Sequence, residues 1–132
     1  MSWDVLVCAA KEPPPPYSEM DDWQGEPLGT RDEVRSRISA ELPEVDWADP
    51  AGGVHEGDGF SYEFRLGSDE PCQDFMVHVR GDGDAVAPLL RLIERWGWYL
   101  FDLSESEWLH HCSEADLGWK GFQAYRDRVR GR

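Results

Sequence analysis

The apolar positions of this chain fall into short blocks of different period, and each block predicts an element. Trp3 to Ala10 (WDVLVCAA) is apolar at nearly every position. It predicts a strand covered on both faces, with Val5 and Val7 pointing one way and Leu6 and Cys8 the other. Phe60 to Leu66 (FSYEFRL) alternates, so it predicts a half-buried strand with Phe60, Tyr62, Phe64 and Leu66 inward. Gln73 to Arg80 alternates as well, with Phe75, Val77 and Val79 on one face and Met76, His78 and Arg80 on the other. The short turn Gly67 to Pro71 between them predicts an antiparallel hairpin. Trp98 to Leu103 (WYLFDL) predicts a fourth strand, and Glu107 to His110 a short fifth.

Three segments carry the helical period. Val34, Ile38 and Leu42 recur at intervals of four behind a capping box, Thr30 to Glu33 (TRDE), and Pro43 ends that helix. Gly81 to Asp84 (GDGD) turns the chain into a second helix. Asp84 is its candidate N-cap, Val86, Leu89, Leu90, Ile93 and Trp96 form its stripe, and Gly97 is its stop. Trp119, Phe122, Tyr125 and Val129 predict a basic terminal helix over 119–132. Two segments have no period. Residues 11–29 form a long acidic loop opened by Pro13 to Pro16, which favour an extended spacer pinned to the body by Tyr17, Met20 and Trp23. Residues 44–59, with Pro50 and four glycines, read as an irregular connection.

The order strand, helix, strand, strand, helix, strand predicts an α+β domain spanning 1–132. Its expected core is a ferredoxin-like βαββαβ antiparallel sheet with both helices on one face. The terminal helix is expected to cover the apolar part of the second face, beside a strip of Glu63, Arg65, His78 and Arg80.

Composition narrows the function classes. Of 132 residues 40% are hydrophobic and seven are Trp, too apolar for a disordered chain and enough for a core without metal or disulfide. The net charge is −14 and unevenly placed. Residues 1–118 carry 26 Asp and Glu against 8 Lys and Arg, a net of −18, whereas 119–132 carry five Lys and Arg against Asp127 alone, a net of +4. Such a surface disfavours nucleic acid and membrane binding and suits a basic protein partner. Three widely spaced cysteines, Cys8, Cys72 and Cys112, suit a reducing compartment. The start shows no leader pattern, and no stretch approaches the roughly 20 apolar residues of a membrane span. A cytoplasmic chain is the expectation.

Candidate chemistry is sparse. The GDGD turn lacks the glycine spacing of a Walker or dinucleotide motif, and its aspartates repel an anion from the helix end. It reads as turn and cap. His110, His111 and Cys112 show no metal-site spacing, and neither a metal nor a cofactor is expected. His78 and Arg80 share a face with Glu63 and Arg65. They read as a cross-strand charge ladder, or as a general acid–base beside an anion-binding arginine. Trp23 and Trp47, in the two irregular segments, are candidate interface residues.

Asp74 to Asp84 (DFMVHVRGDGD), then Gly97, Trp98 and Leu100 to Ser104 (LFDLS), resemble a family of small uncharacterised bacterial proteins. These proteins carry a VHVRGxGD segment followed by a helix and a GWxLxD strand. Met1 to Leu6 and Glu56 to Ser61 share the resemblance. It implies no activity, so no residue role comes with it. Small acidic α+β proteins of this type include immunity and partner proteins of bacterial conflict systems. The reading that follows is a non-catalytic interaction protein with an acidic surface for a basic partner. The alternative is a small-ligand-binding or enzymatic module at His78 and Arg80.

Overall fold

The computed structural model describes residues 1–112 and 114–129. Among these residues the chain is a mixed α+β fold with three α-helices and one open antiparallel sheet of seven strands. The elements are β1 (Trp3–Ala9), α1 (Arg31–Glu41), β2 (Asp46–Asp49), β3 (Gly52–Glu56), β4 (Phe60–Arg65), β5 (Asp74–Gly81), α2 (Val86–Trp96), β6 (Trp98–Asp102), β7 (Glu107–Trp108) and α3 (Leu117–Val129). The strands lie in the order β2-β3-β4-β5-β1-β6-β7.

Alternation along β1 sets the two faces. Val5 lies opposite Val77 on one neighbour and Asp102 on the other, and Val7 lies opposite Phe75 and Leu100. These residues share one side with Trp3, Val79, Tyr62, Phe64 and Trp98, all buried. Val34 and Ile38 of α1, Val86, Leu89, Leu92 and Ile93 of α2, and Trp119 of α3 close over the same side to make the core. Each such side chain contributes roughly 1.5–3 kcal/mol of transfer free energy. The opposite face carries Asp4, Leu6, Glu63, Arg65, Met76, His78, Arg80 and Phe101.

The helices start and stop for local reasons. Thr30 Oγ1 accepts from the Glu33 amide (3.1 Å) and the Glu33 carboxylate accepts from the Thr30 amide (2.9 Å), so the capping box is in place. At α2 the assigned cap is Ala85, one residue later than expected, yet Asp84 Oδ1 still accepts from the Ala87 amide at 3.2 Å. Gly97 ends α2 at φ 68°, a left-handed conformation that glycine adopts without steric cost.

Four expectations need correction. The segment 44–59 is not an irregular connection: β2 and β3 pair as a hairpin that extends the sheet beyond β4. It has no apolar alternation because its packing comes from Trp47 lying on the bare backbone of Gly53. A Cβ at Gly53 would stand 2.7 Å from the Trp47 ring and 2.8 Å from Val45. The sheet is therefore larger than expected from the sequence. The terminal helix starts at Leu117 and lies on the core side, not on the second face. Trp119 meets Trp3 there, ring centroids 5.8 Å apart, and Trp3 shares its side with Val5. The last three residues of the expected helix, 130–132, lie outside the described residues. The fifth strand stops at Trp108, and Leu109–His111 makes a 3-10 turn. On the second face the Pro-rich loop covers the β6–β7 edge, where Tyr17 packs on Phe101, and bridges from Ala9 to Glu26 and from Gly29 to Cys72 tie it down.

Two glycines one turn apart in α3 have opposite constraints. A Cβ at Gly118 would overlap Asp102 Oδ2, whereas one at Gly121 meets nothing within 4 Å. In urea unfolding, Gly118→Ala is expected to lose roughly 2–4 kcal/mol through overpacking against a buried carboxyl. Gly121→Ala is expected to gain roughly 0.5–1 kcal/mol from helix propensity.

Candidate functional site

Strand register brings the four predicted ladder residues together. Glu63 lies opposite His78, and His78 opposite Asp4. Arg80 Nη1 donates to Glu63 Oε2 at 3.0 Å, and Arg65 Nε donates to Glu63 Oε1 at 2.6 Å. One carboxylate thus sits between two guanidiniums. The hydrogen bond from Arg80, reinforced by Arg65, outweighs partial desolvation and holds the Glu63 carboxyl below its ordinary range. His78 Nδ1 stands 2.7 Å from Asp4 Oδ1, which also accepts from Ser2 Oγ at 2.5 Å. A carboxylate only accepts, so Nδ1 carries the proton and the imidazole orientation is fixed.

Beside this ladder, at the β6–β7 edge, the Pro-rich loop builds an aromatic platform. Tyr17 packs on Phe101 (centroids 5.3 Å), Trp23 meets Trp108 edge-on (5.3 Å), and Phe101 meets Trp108 (5.2 Å). The Trp108 indole N–H points at Met20 Sδ, 2.9 Å away. Trp108 is buried while Tyr17 is 55% exposed. Partial burial raises the Glu107 pKa, but bonds from the Tyr17 and Trp108 amides (2.9 and 3.0 Å) win and leave the carboxyl below its ordinary range. Glu12, Glu19, Asp21 and Asp22 are exposed along the same loop. Of the two predicted interface tryptophans, Trp23 is half-buried in this platform. Trp47 is half-buried at the other end of the sheet, donating to Ser39 Oγ (2.9 Å) and packing on Phe64 (6.0 Å).

The histidine pair and the cysteines have structural partners. His110 Nε2 and His111 Nε2 both approach the Pro14 carbonyl oxygen, at 3.0 and 2.8 Å. A carbonyl only accepts, so both Nε2 atoms donate and pin the loop. Among the described residues, no three His, Cys, Asp or Glu side chains gather where they could hold a metal ion. Burial, and next the Asp74 charge, push the Cys8 thiol up to about 12. Burial first also raises Cys72 and Cys112.

Two buried polar residues escape a sequence reading. Arg126 is buried and donates to the Gly81 carbonyl (2.5 Å) and to Asp82 Oδ1 (2.6 Å), while the Trp119 indole donates to the Gly83 carbonyl (2.9 Å). The GDGD turn is thus gripped by α3. The seven-residue spacing of Trp119 and Arg126, two helical turns on one side, is a signal that could have shown it. Asp102 is fully buried. Its Oδ1 accepts from the Trp3 indole (3.0 Å), Ser104 Oγ (2.7 Å) and the Ser104 and Glu105 amides (2.9 and 3.3 Å). Its place in an alternating strand, inward with Trp98 and Leu100, was the available signal.

The chain matches no protein-family model, no curated protein and no solved structure. Its chemistry must therefore be read from the two surface features above. No helix among the described residues is long and apolar enough to cross a membrane.

The ladder carries a pH signature. Glu63 has a lowered folded pKa, so its contribution is present above the unfolded carboxyl pKa and lost as pH falls through the folded value. Arg80→Ala is expected to cost less than about 1 kcal/mol at pH 7, with the difference from the native chain vanishing in acid; denaturant unfolding across pH 2–7 reads it. Cys8, held as a thiol, is expected to resist iodoacetamide at about pH 8 until the chain unfolds, as mass spectrometry of the alkylated peptide would show.

Proposed function

We propose that the protein is a non-catalytic interaction protein of the cytoplasm, and that it receives a basic protein partner on the aromatic platform and the acidic loop around it. The observation that carries this reading is Tyr17, 55% exposed above Phe101 and flanked by exposed Glu19, Asp21 and Asp22. Exposed aromatics supported by a buried layer are the usual anchors of an interface, and the surrounding carboxylates select for positive charge. Three free cysteines suit a reducing compartment. The four strands β4-β5-β1-β6 with α1 and α2 are read as a ferredoxin-like βαββαβ core. Their order supports it, with β2–β3, β7 and α3 as additions.

A second reading places a small ligand or a reaction at the ladder. It is favoured by His78, whose orientation by Asp4 resembles that of a general acid–base. Here, however, both ladder arginines already donate to Glu63, which occupies donors a bound anion would need, so the interaction reading is the stronger.

The test is a pull-down with the native chain and with the Glu19→Ser/Asp21→Ser/Asp22→Ser variant in parallel. A basic partner is expected to be retained by the native chain, lost from the variant and released as salt rises from about 0.1 to 0.5 M. His78→Ala is expected to leave retention unchanged. Equal retention by the triple variant, or loss with His78→Ala alone, would count for the second reading.

A further inference from the structure

Strand β7 pairs with β6 only at Phe101 and Asp102, so the outer edge of Trp98–Leu100 has no strand beside it among the described residues. The chain turns away there through the 3-10 turn Leu109–His111. A hollow of about 350 Å³ lies along that edge, between the C-terminal end of α2 and the turn. Its walls are apolar: Leu90 and Ile93 from α2, Trp98 and Leu100 from β6, and Leu109 and Ala115. It is open because Gly97, left-handed at the end of α2, and the small Ala115 bring little side chain to it. An apolar space of this size suits a small molecule better than it suits water.

The polar lining says which molecule. It consists of Glu94, Tyr99 and His110, with no Lys or Arg. The exposed Glu94 carboxylate has no ion-pair or hydrogen-bond partner among the described residues. The arginines beside it on α2 reach away, since Arg91 and Arg95 both approach Glu41 of α1, at 3.6 and 3.3 Å. His110 spends its Nε2 hydrogen on the Pro14 carbonyl, which leaves Nδ1 an acceptor. Gly97 lines the hollow, so the negative end of the α2 dipole lies beside it. Tyr99 adds an aromatic ring, which attracts a cation to its face. An anionic ligand would meet Glu94 with no cation to offset it; an ammonium group meets acceptors throughout.

We infer that this hollow binds a small primary amine with an apolar body, about eight to twelve non-hydrogen atoms in all. The body lies against Leu90, Ile93, Leu100 and Leu109. The ammonium stays at the mouth on Glu94, where it keeps part of its water and avoids the cost of full burial. The site shares no residue with the charge ladder or the aromatic platform, and the inference does not rest on the function proposed above.

Amide chemical shifts of the full chain, labelled with nitrogen-15 and titrated at about pH 7.5 to keep histidine neutral, test it. The probes are phenethylamine, its neutral analogue phenethyl alcohol and the anionic hydrocinnamate. The amine is expected to shift Gly97, Trp98, Tyr99 and Leu109 and to saturate with a Kd of order 0.5 mM. The alcohol is expected to bind the same place roughly fivefold more weakly, and hydrocinnamate not to bind. Glu94→Gln is expected to weaken the amine by a similar factor and to leave the alcohol unchanged. Ala115→Leu fills the hollow and is expected to abolish binding of both. Shifts spread over the acidic loop 11–29 instead of the hollow overturn the inference. So does an alcohol bound as tightly as the amine, or an amine indifferent to Glu94→Gln.

Discussion

A single carboxylate joins the first strand, the sixth strand and the terminal helix. Asp102 points into the core between Val5 and the turn that follows it, and its Oδ1 gathers the Trp3 indole, the Ser104 hydroxyl and two turn amides. Its Oδ2 is buried with no hydrogen-bond partner among the described residues, facing Gly118. Burying such a group is costly unless hydrogen bonds compensate, and here all the compensation falls on one oxygen. The arrangement therefore requires that Trp3, the turn 103–105 and the bare backbone at Gly118 all stay in place. It explains why α3 lies on the core side. A helix with glycine at that point can approach the carboxyl, and Trp119 then reaches Trp3.

The same helix solves a problem created by the GDGD turn. Gly81 has φ 96° and its Cβ position is occupied by the Gly59 carbonyl, so only glycine fits. The backbone there exposes carbonyls at Gly81 and Gly83 that the sheet does not use. Arg126 and Trp119 take them, and the hydrogen bond to Asp82 raises the Arg126 pKa further. A guanidinium this buried stays charged because it is paired and hydrogen-bonded. The GDGD turn, read from the sequence as turn and cap, is also the anchor of the terminal helix.

Legibility followed how local the cause was. The capping box at Thr30, the stop at Gly97 and the inward set Val5, Val7, Tyr62, Phe64, Phe75, Val77 and Val79 depend on neighbours in sequence or on strand period, and all could be read directly. Phe60, expected inward with them, is only partly buried against the core. The β2–β3 hairpin could not be read, because Gly52 and Gly53 weaken a strand signal and the compensating contact comes from Trp47 across the hairpin. The charge ladder was legible as a shared face, and so was a pairing of Arg80 with Glu63 across the hairpin; that Arg65 also takes Glu63 while His78 turns to Asp4 was not, since alternation does not say which neighbour a side chain chooses. The aromatic platform was half legible. Tyr17, Met20 and Trp23 announced a pinned loop, but the surface they settle on is made by Phe101 and Trp108, more than 70 residues away in sequence.

Alternation along β6 also separates the aromatic platform from the contacts that hold α3. Phe101 faces out under Tyr17, while Leu100 and Asp102 face in toward the helices. The platform and the packing of α3 thus stand on opposite sides of one strand and share none of its side chains. A substitution at Tyr17 or Phe101 therefore alters the proposed recognition surface without disturbing the carboxyl that positions α3.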